Sequence, residues 1–107
     1  MITYTAFLTQ YGTSAPTVDR EINGIYQPVT YEYVNDGIYK VVKPGGWDRL
    51  KTIPVCGNVG NGGNVTDPFG SIKMAFEGED LLIYALDKTG TPINAQLNET
   101  PITIIIL

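Results

Sequence analysis

The sequence contains no histidine, and its one cysteine, Cys56, has no partner within the chain. Without a second cysteine there is no internal disulfide, and without histidine the usual zinc, copper and haem ligand sets cannot be assembled. The same absence removes the commonest general base near neutral pH, which excludes Ser-His-Asp and Cys-His mechanisms and leaves only carboxylate, lysine or tyrosine chemistry. Basic residues are also scarce. Seven Lys and Arg stand against eleven Asp and Glu, a net charge of −4 with no basic run, so neither nucleic acid nor a membrane surface is expected as a partner. No apolar run approaches the roughly 18 residues of a membrane helix. The opening MITYTAFLTQ lacks the basic n-region and continuous apolar block of a secretion signal, so cytoplasmic synthesis without a signal peptide is expected.

What the chain has is turn and strand chemistry. Twelve Gly, seven Pro and seven Tyr, with only 17% charged residues, favour strands over helices. At 107 residues the expectation is one β domain spanning 1–107 with a single core.

Hydrophobic alternation places the strands. Ile2, Tyr4, Ala6 and Leu8 alternate with Thr3, Thr5, Phe7 and Thr9, a period of two that predicts a half-buried first strand. A Gly/Ser/Pro loop follows, then a short strand carrying Val18 and Ile22. Val29, Tyr31 and Tyr33, the turn Asn35-Asp36-Gly37 and the return strand Ile38 to Val42 form the clearest hairpin. After Pro44-Gly45-Gly46, the segment WDRLKT has room for one helical or 3₁₀ turn before an extended stretch from Ile53 to Cys56. The Gly/Asn-rich residues 57–70 read as a loop, and as the candidate functional loop. Ser71 to Asp87 reads either as a helix interrupted by Gly78 or as two strands around Gly78-Glu79-Asp80. The alternation of Ile72, Met74 and Phe76 with Lys73, Ala75 and Glu77 favours the strands. The last strand, Ile102 to Leu107, is apolar on both faces at its end, so a second cover beyond the core is expected for it. About eight short antiparallel strands with little helix predict a compact all-β fold: a β-sandwich, Ig-like or jelly-roll-like, or a small barrel.

Chemical motifs are thin. Glu77, Glu79 and Asp80 are paired-carboxylate or calcium candidates, but without alternate-position ligands or an aromatic cleft they read as a solvated hairpin turn. The glycines of residues 57–63 have no Lys-Ser/Thr pair and no helix behind them, so they do not make a phosphate loop. Trp47, with Tyr26, Tyr31, Tyr33 and Tyr39, would serve either as a sugar-stacking platform or as core bulk, with core packing the favoured use. Cys56 reads as a small buried hydrophobe.

YTAFLTQYGTSAPT resembles the opening Y-x-x-x-L-T-Q-x-G-T-x-A-P of small β-rich proteins in the structural modules of tailed phages and prophages. QLNETPITIII resembles their closing L-N-N-T-x-I-x-I strand, and Gly37-Ile38-Tyr39 stands where those proteins carry a GIY or GTY return strand. The three anchors cover about a third of the chain. The resemblance implies a non-enzymatic virion component: an auxiliary or decoration capsid protein docking on a larger shell, or alternatively a head- or tail-fibre module. A carbohydrate or host-surface binding module is the remaining alternative. The resemblance transfers no catalytic residue. Expected partners are other virion proteins or copies of the chain itself, with no cofactor or metal. The candidate contact residues are Trp47, Asn58, Asn61, Asn64, Phe69, Ile105 and Leu107.

Overall fold

A computed structural model describes residues 1–57 and 65–107. Eight strands build two four-stranded antiparallel sheets. They are β1 (Ile2–Thr9), β2 (Thr17–Asn23), β3 (Thr30–Asn35), β4 (Ile38–Val42), β5 (Thr52–Cys56), β6 (Ser71–Glu77), β7 (Asp80–Leu86) and β8 (Thr100–Ile106). One sheet, A, runs β2-β1-β8-β5 and the other, B, runs β3-β4-β7-β6. The chain is a small β-sandwich, as its alternation predicts, and no helix forms among the described residues. Strands β5, β6 and β7 with β8 trace a Greek key, in which β8 returns across the sandwich to lie beside β5.

The core is the set of inward positions that the two-residue period selects. Tyr4, Ala6 and Leu8 of β1, Tyr39 and Val41 of β4, Leu81, Ile83 and Ala85 of β7, and Ile102 and Ile104 of β8 are all buried. The greasy C-terminal strand is therefore central, hydrogen-bonded to β1 on one side and β5 on the other. Ile102 and Ile104 face the core, which accounts for one of its two apolar faces.

Local chemistry sets the turns. Glu77 pairs with Asp80 across Gly78 and Glu79, and Gly78 has φ of 64°. Glycine at the first central position is the signature of a II′ hairpin, whose twist matches the strands. The 3₁₀ option for WDRLKT resolves as a turn, with the Lys51 N–H on the Asp48 carbonyl at 3.0 Å. Gly37, at φ 68°, is packed so closely that a Cβ would collide with the backbone of Ile93 and Ala85.

The two lateral openings of the sandwich are closed by side chains. Between β2 and β3, the Tyr4 hydroxyl donates to Glu21 Oε2 at 2.7 Å and lies 2.9 Å from the Tyr31 hydroxyl. Between β5 and β6, the Cys56 thiol donates to the Ile72 carbonyl at 3.5 Å. Burial pushes that thiol's pKa up, so Cys56 sits protonated as a bridge between the sheets.

Burial also raises the phenol pKa values of Tyr4, Tyr31 and Tyr39 well above the ordinary tyrosine value, and Tyr4 is pushed further by its bonds to Tyr31 and Glu21. Below about pH 10 these phenols are protonated in folded and unfolded chains alike, and their stabilising effect is complete. Above it the unfolded chain loses protons that the folded chain retains, so stability falls with pH. Each buried phenol contributes up to about 1.4 kcal/mol per pH unit. We expect an alkaline unfolding transition, with the phenolate absorbance of the three buried tyrosines appearing cooperatively as the β-sheet circular dichroism disappears. Formation of all seven phenolates with the fold intact would contradict the shared burial.

Candidate docking face

The four predicted contact residues that the structure describes do not converge. The β1–β2, β3–β4, β5–β6 and β7–β8 connections emerge at one end of the sandwich, and the β2–β3, β4–β5 and β6–β7 connections at the other. Phe69 lies at the first end, 81% exposed, its N–H held by Asp67 Oδ1 at 2.9 Å. Trp47 and Leu107 lie at the second, and Ile105 lies on the outer face of sheet A. Asn58, Asn61 and Asn64 fall outside the described residues.

Trp47 belongs to the core. Its ring is only 9% exposed, its Nε1–H donates to the Val41 carbonyl at 2.9 Å, and Lys43 Nζ sits 5.2 Å from the ring. An indole so covered offers no stacking platform. It forms part of one wall of an open groove of about 440 Å³ lined also by Gly45, Gly46, Asp48, Arg49 and Glu79. Trp47→Ala is expected to cost about 3–5 kcal/mol, as for other large aromatic truncations in a core. A shift in denaturant midpoint measures it, and Trp47→Phe should recover most of the loss.

The acidic trio Glu77, Glu79 and Asp80 is exposed, as a hairpin turn should be. Glu77 accepts from the Tyr84 hydroxyl at 2.9 Å and Asp80 lies 3.9 Å from Lys40. These contacts belong to the outer face of sheet B, where Lys40 also reaches Glu32 at 3.9 Å and Lys73 sits 4.9 Å from the Tyr84 ring. That face is covered by its own mixed-charge network.

The outer face of sheet A is different in kind. Register arranges its side chains in three rows. The first is Arg20, Phe7 and Pro101 with Gly57; the second is Ile22, Thr5, Thr103 and Val55; the third is Thr3, Ile105 and Ile53. None of the eleven acidic residues lies in these rows. The only charge is Arg20, whose guanidinium carbon lies 4.2 Å over the Phe7 ring. Ile22 is 76% exposed, Ile53 44% and Val55 47%. Thr5 and Thr103 satisfy each other across the strands at 3.0 Å, which leaves their methyl groups as the outward chemistry. Alternation with one polar side is the norm for an antiparallel sheet. Here the solvent side is more β-branched than the core side of the same sheet.

No protein-family model matches the chain, and neither a curated protein nor a solved structure is similar to it at a significant level.

The residues of the three quoted anchors meet at one place. Gln10 is 1% exposed; its Nε2 donates to the carbonyls of Tyr11, Gly12 and Ser14, and its Oε1 accepts from the Tyr39 hydroxyl and the Ala95 N–H, both at 2.7 Å. Asn94 Oδ1 accepts from the Gly37 N–H at 2.8 Å, and buried Gln96 clamps both the N–H and the carbonyl of Asp67. Ala95 and Glu99 hold positive φ of 58° and 49°, and their N–H groups are held by Gln10 and by Thr9 Oγ1. Gln10, Asn94 and Gln96 thus fasten the loops of this end, a structural duty that composition did not reveal. Among the described residues no group of three or more Cys, Asp or Glu side chains is placed to hold a metal ion.

Proposed function

We propose that the chain is a non-enzymatic structural protein of a phage particle, an auxiliary or decoration component held on a larger shell. One observation carries the reading: sheet A presents to solvent a four-stranded, β-branched face whose outward rows hold no acid, with Glu21 at its β2 edge, while the outer face of sheet B carries a mixed-charge network. A bare apolar face of this kind suits protein–protein association better than turnover. The phage setting rests on the resemblance of LTQYGTSAP, Gly37-Ile38-Tyr39 and QLNETPITIII to phage structural-module proteins. Trp47, buried in the core, lends the sugar-binding alternative no support.

The test is co-sedimentation with particles. Phage particles purified through a density gradient from cells that encode the chain should contain it in fixed stoichiometry to the major shell protein, and a deletion strain should yield particles lacking that band. Recovery of the chain only in the soluble fraction would overturn the reading.

A further inference from the structure

We propose that Asn23 is a latent deamidation site, held shut by the corner between β2 and β3 and converted only when that corner opens. Asn23 ends β2, opposite Tyr4 of β1, and is followed by Gly24. The other asparagines among the described residues, Asn35, Asn94 and Asn98, are followed by Asp36, Ala95 and Glu99.

An asparagine before glycine is the pair in which side chain and backbone react most readily, because glycine has no side chain to obstruct ring closure and the freest backbone. The Gly24 nitrogen gives up its proton to solvent and attacks Cγ of Asn23. The bond from Cγ to Nδ2 breaks, and the side-chain nitrogen leaves as ammonia. The five-membered imide then takes up one water. Opening at Cγ leaves aspartate, and opening at the backbone carbonyl leaves isoaspartate, in which the main chain runs through Cγ. One water is consumed, one ammonia is released and one carboxylate is gained, with no oxidant or reductant.

The fold demands this reactive pair. The Gly24 N–H donates to the Thr3 carbonyl at 2.9 Å, and a Cβ at position 24 would collide with that oxygen, so only glycine fits. Asn23 Oδ1 accepts from the Ile25 N–H at 3.0 Å and the Tyr26 N–H at 3.1 Å, while its Nδ2 donates to the Gln27 carbonyl at 2.7 Å. These bonds hold Tyr26 at φ 58°, a left-handed conformation that a bulky side chain disfavours. Aspartate would supply the acceptor but not the donor.

The same bonds keep the reaction from starting. The Gly24 proton is committed to Thr3, and Cγ cannot swing toward the Gly24 nitrogen without giving up the side chain's three partners. Attack therefore waits on an opening that breaks four hydrogen bonds and loosens Ile25, which anchors the corner in the core. Such openings are brief excursions from the native state. Neither product restores the corner. Aspartate sets a carboxylate oxygen against the Gln27 carbonyl, and isoaspartate lengthens the backbone where Gly24 already has no room.

The experiment is peptide mapping of the full chain held in mildly alkaline buffer, folded and, in parallel, unfolded in guanidinium chloride. Trypsin releases the peptide 21–40 apart from Asn61-Gly62, the other Asn-Gly pair of the sequence, and fragmentation locates the converted residue. The unfolded chain should convert at Asn23 to aspartate and isoaspartate, and the folded chain at least about tenfold more slowly. Ile25→Val loosens the anchor without touching the reacting atoms. It should speed conversion of the folded chain severalfold, with circular dichroism unchanged, and leave the unfolded rate as it was. Equal rates in the folded and unfolded parent would overturn the proposal, as would an absence of conversion at Asn23 in guanidinium chloride or a folded Ile25→Val chain that converts at the parent's rate. None of these results bears on whether the chain co-sediments with particles, so the two readings fail separately.

Discussion

Deleting residues 102–107 is expected to leave the chain unfolded. Those residues carry five of the seven residues of β8, which fills the centre of sheet A and hydrogen-bonds to β1 along one side and β5 along the other. Without it β5 has no partner in its sheet, and Ile102 and Ile104 leave the core. Each buried isoleucine is worth about 1.5–3 kcal/mol in apolar burial alone. Adding the orphaned ladders brings the loss to the whole of the roughly 5–15 kcal/mol that holds a domain together. Far-ultraviolet circular dichroism and amide dispersion of the truncated chain measure it. A folded truncation would mean that sheet A can close without β8.

The second large effect is at Gln10. Gln10→Leu keeps the volume but removes five hydrogen bonds, three from Nε2 to loop carbonyls and two to Oε1. Each is worth about 1 kcal/mol net, and each partner left buried costs more than the bond it lost. We expect a loss of about 3–5 kcal/mol and a melting temperature lower by roughly 15–25 °C. Tyr39→Phe removes one of the five partners and should cost about 1 kcal/mol. The double variant should cost less than the sum, because the two share a bond. Full additivity would show that the knot is not a unit.

The strands were legible because a sheet with a dry side writes its period into the sequence. Tyr4, Ala6 and Leu8, and Ile102 and Ile104, alternate in the sequence and alternate in burial. The double-sided apolarity of Ile102 to Leu107 pointed to a central strand needing two covers, and β8 is central. The pairing of β1 with β8, ninety-odd residues away in sequence, carried no local signal. Neither did the choice of which sheet keeps a bare outer face, since Ile22, Ile53 and Val55 come from strands read singly. Gln10, Asn94 and Gln96 were missed as structural residues because a buried amide looks like a loop residue until its partners are known. Their sequence context carries no local signal, because the groups they hold belong to other loops and strands: Tyr39 for Gln10, Gly37 for Asn94 and Asp67 for Gln96. Trp47 follows Pro44-Gly45-Gly46 with no periodic neighbours, so its bulk alone favours core packing, and it is buried in the core.

The central claim, that assembly covers sheet A and leaves sheet B open, is tested most directly by side-chain footprinting of the free chain and of the chain in purified particles. Carbene labelling of Ile22, Ile53 and Val55 should fall severalfold on incorporation, while labelling of Val34 and Ile38 on the outer face of sheet B stays the same. Unchanged labelling of the three sheet A residues, or protection of Val34 and Ile38 in their place, would contradict it.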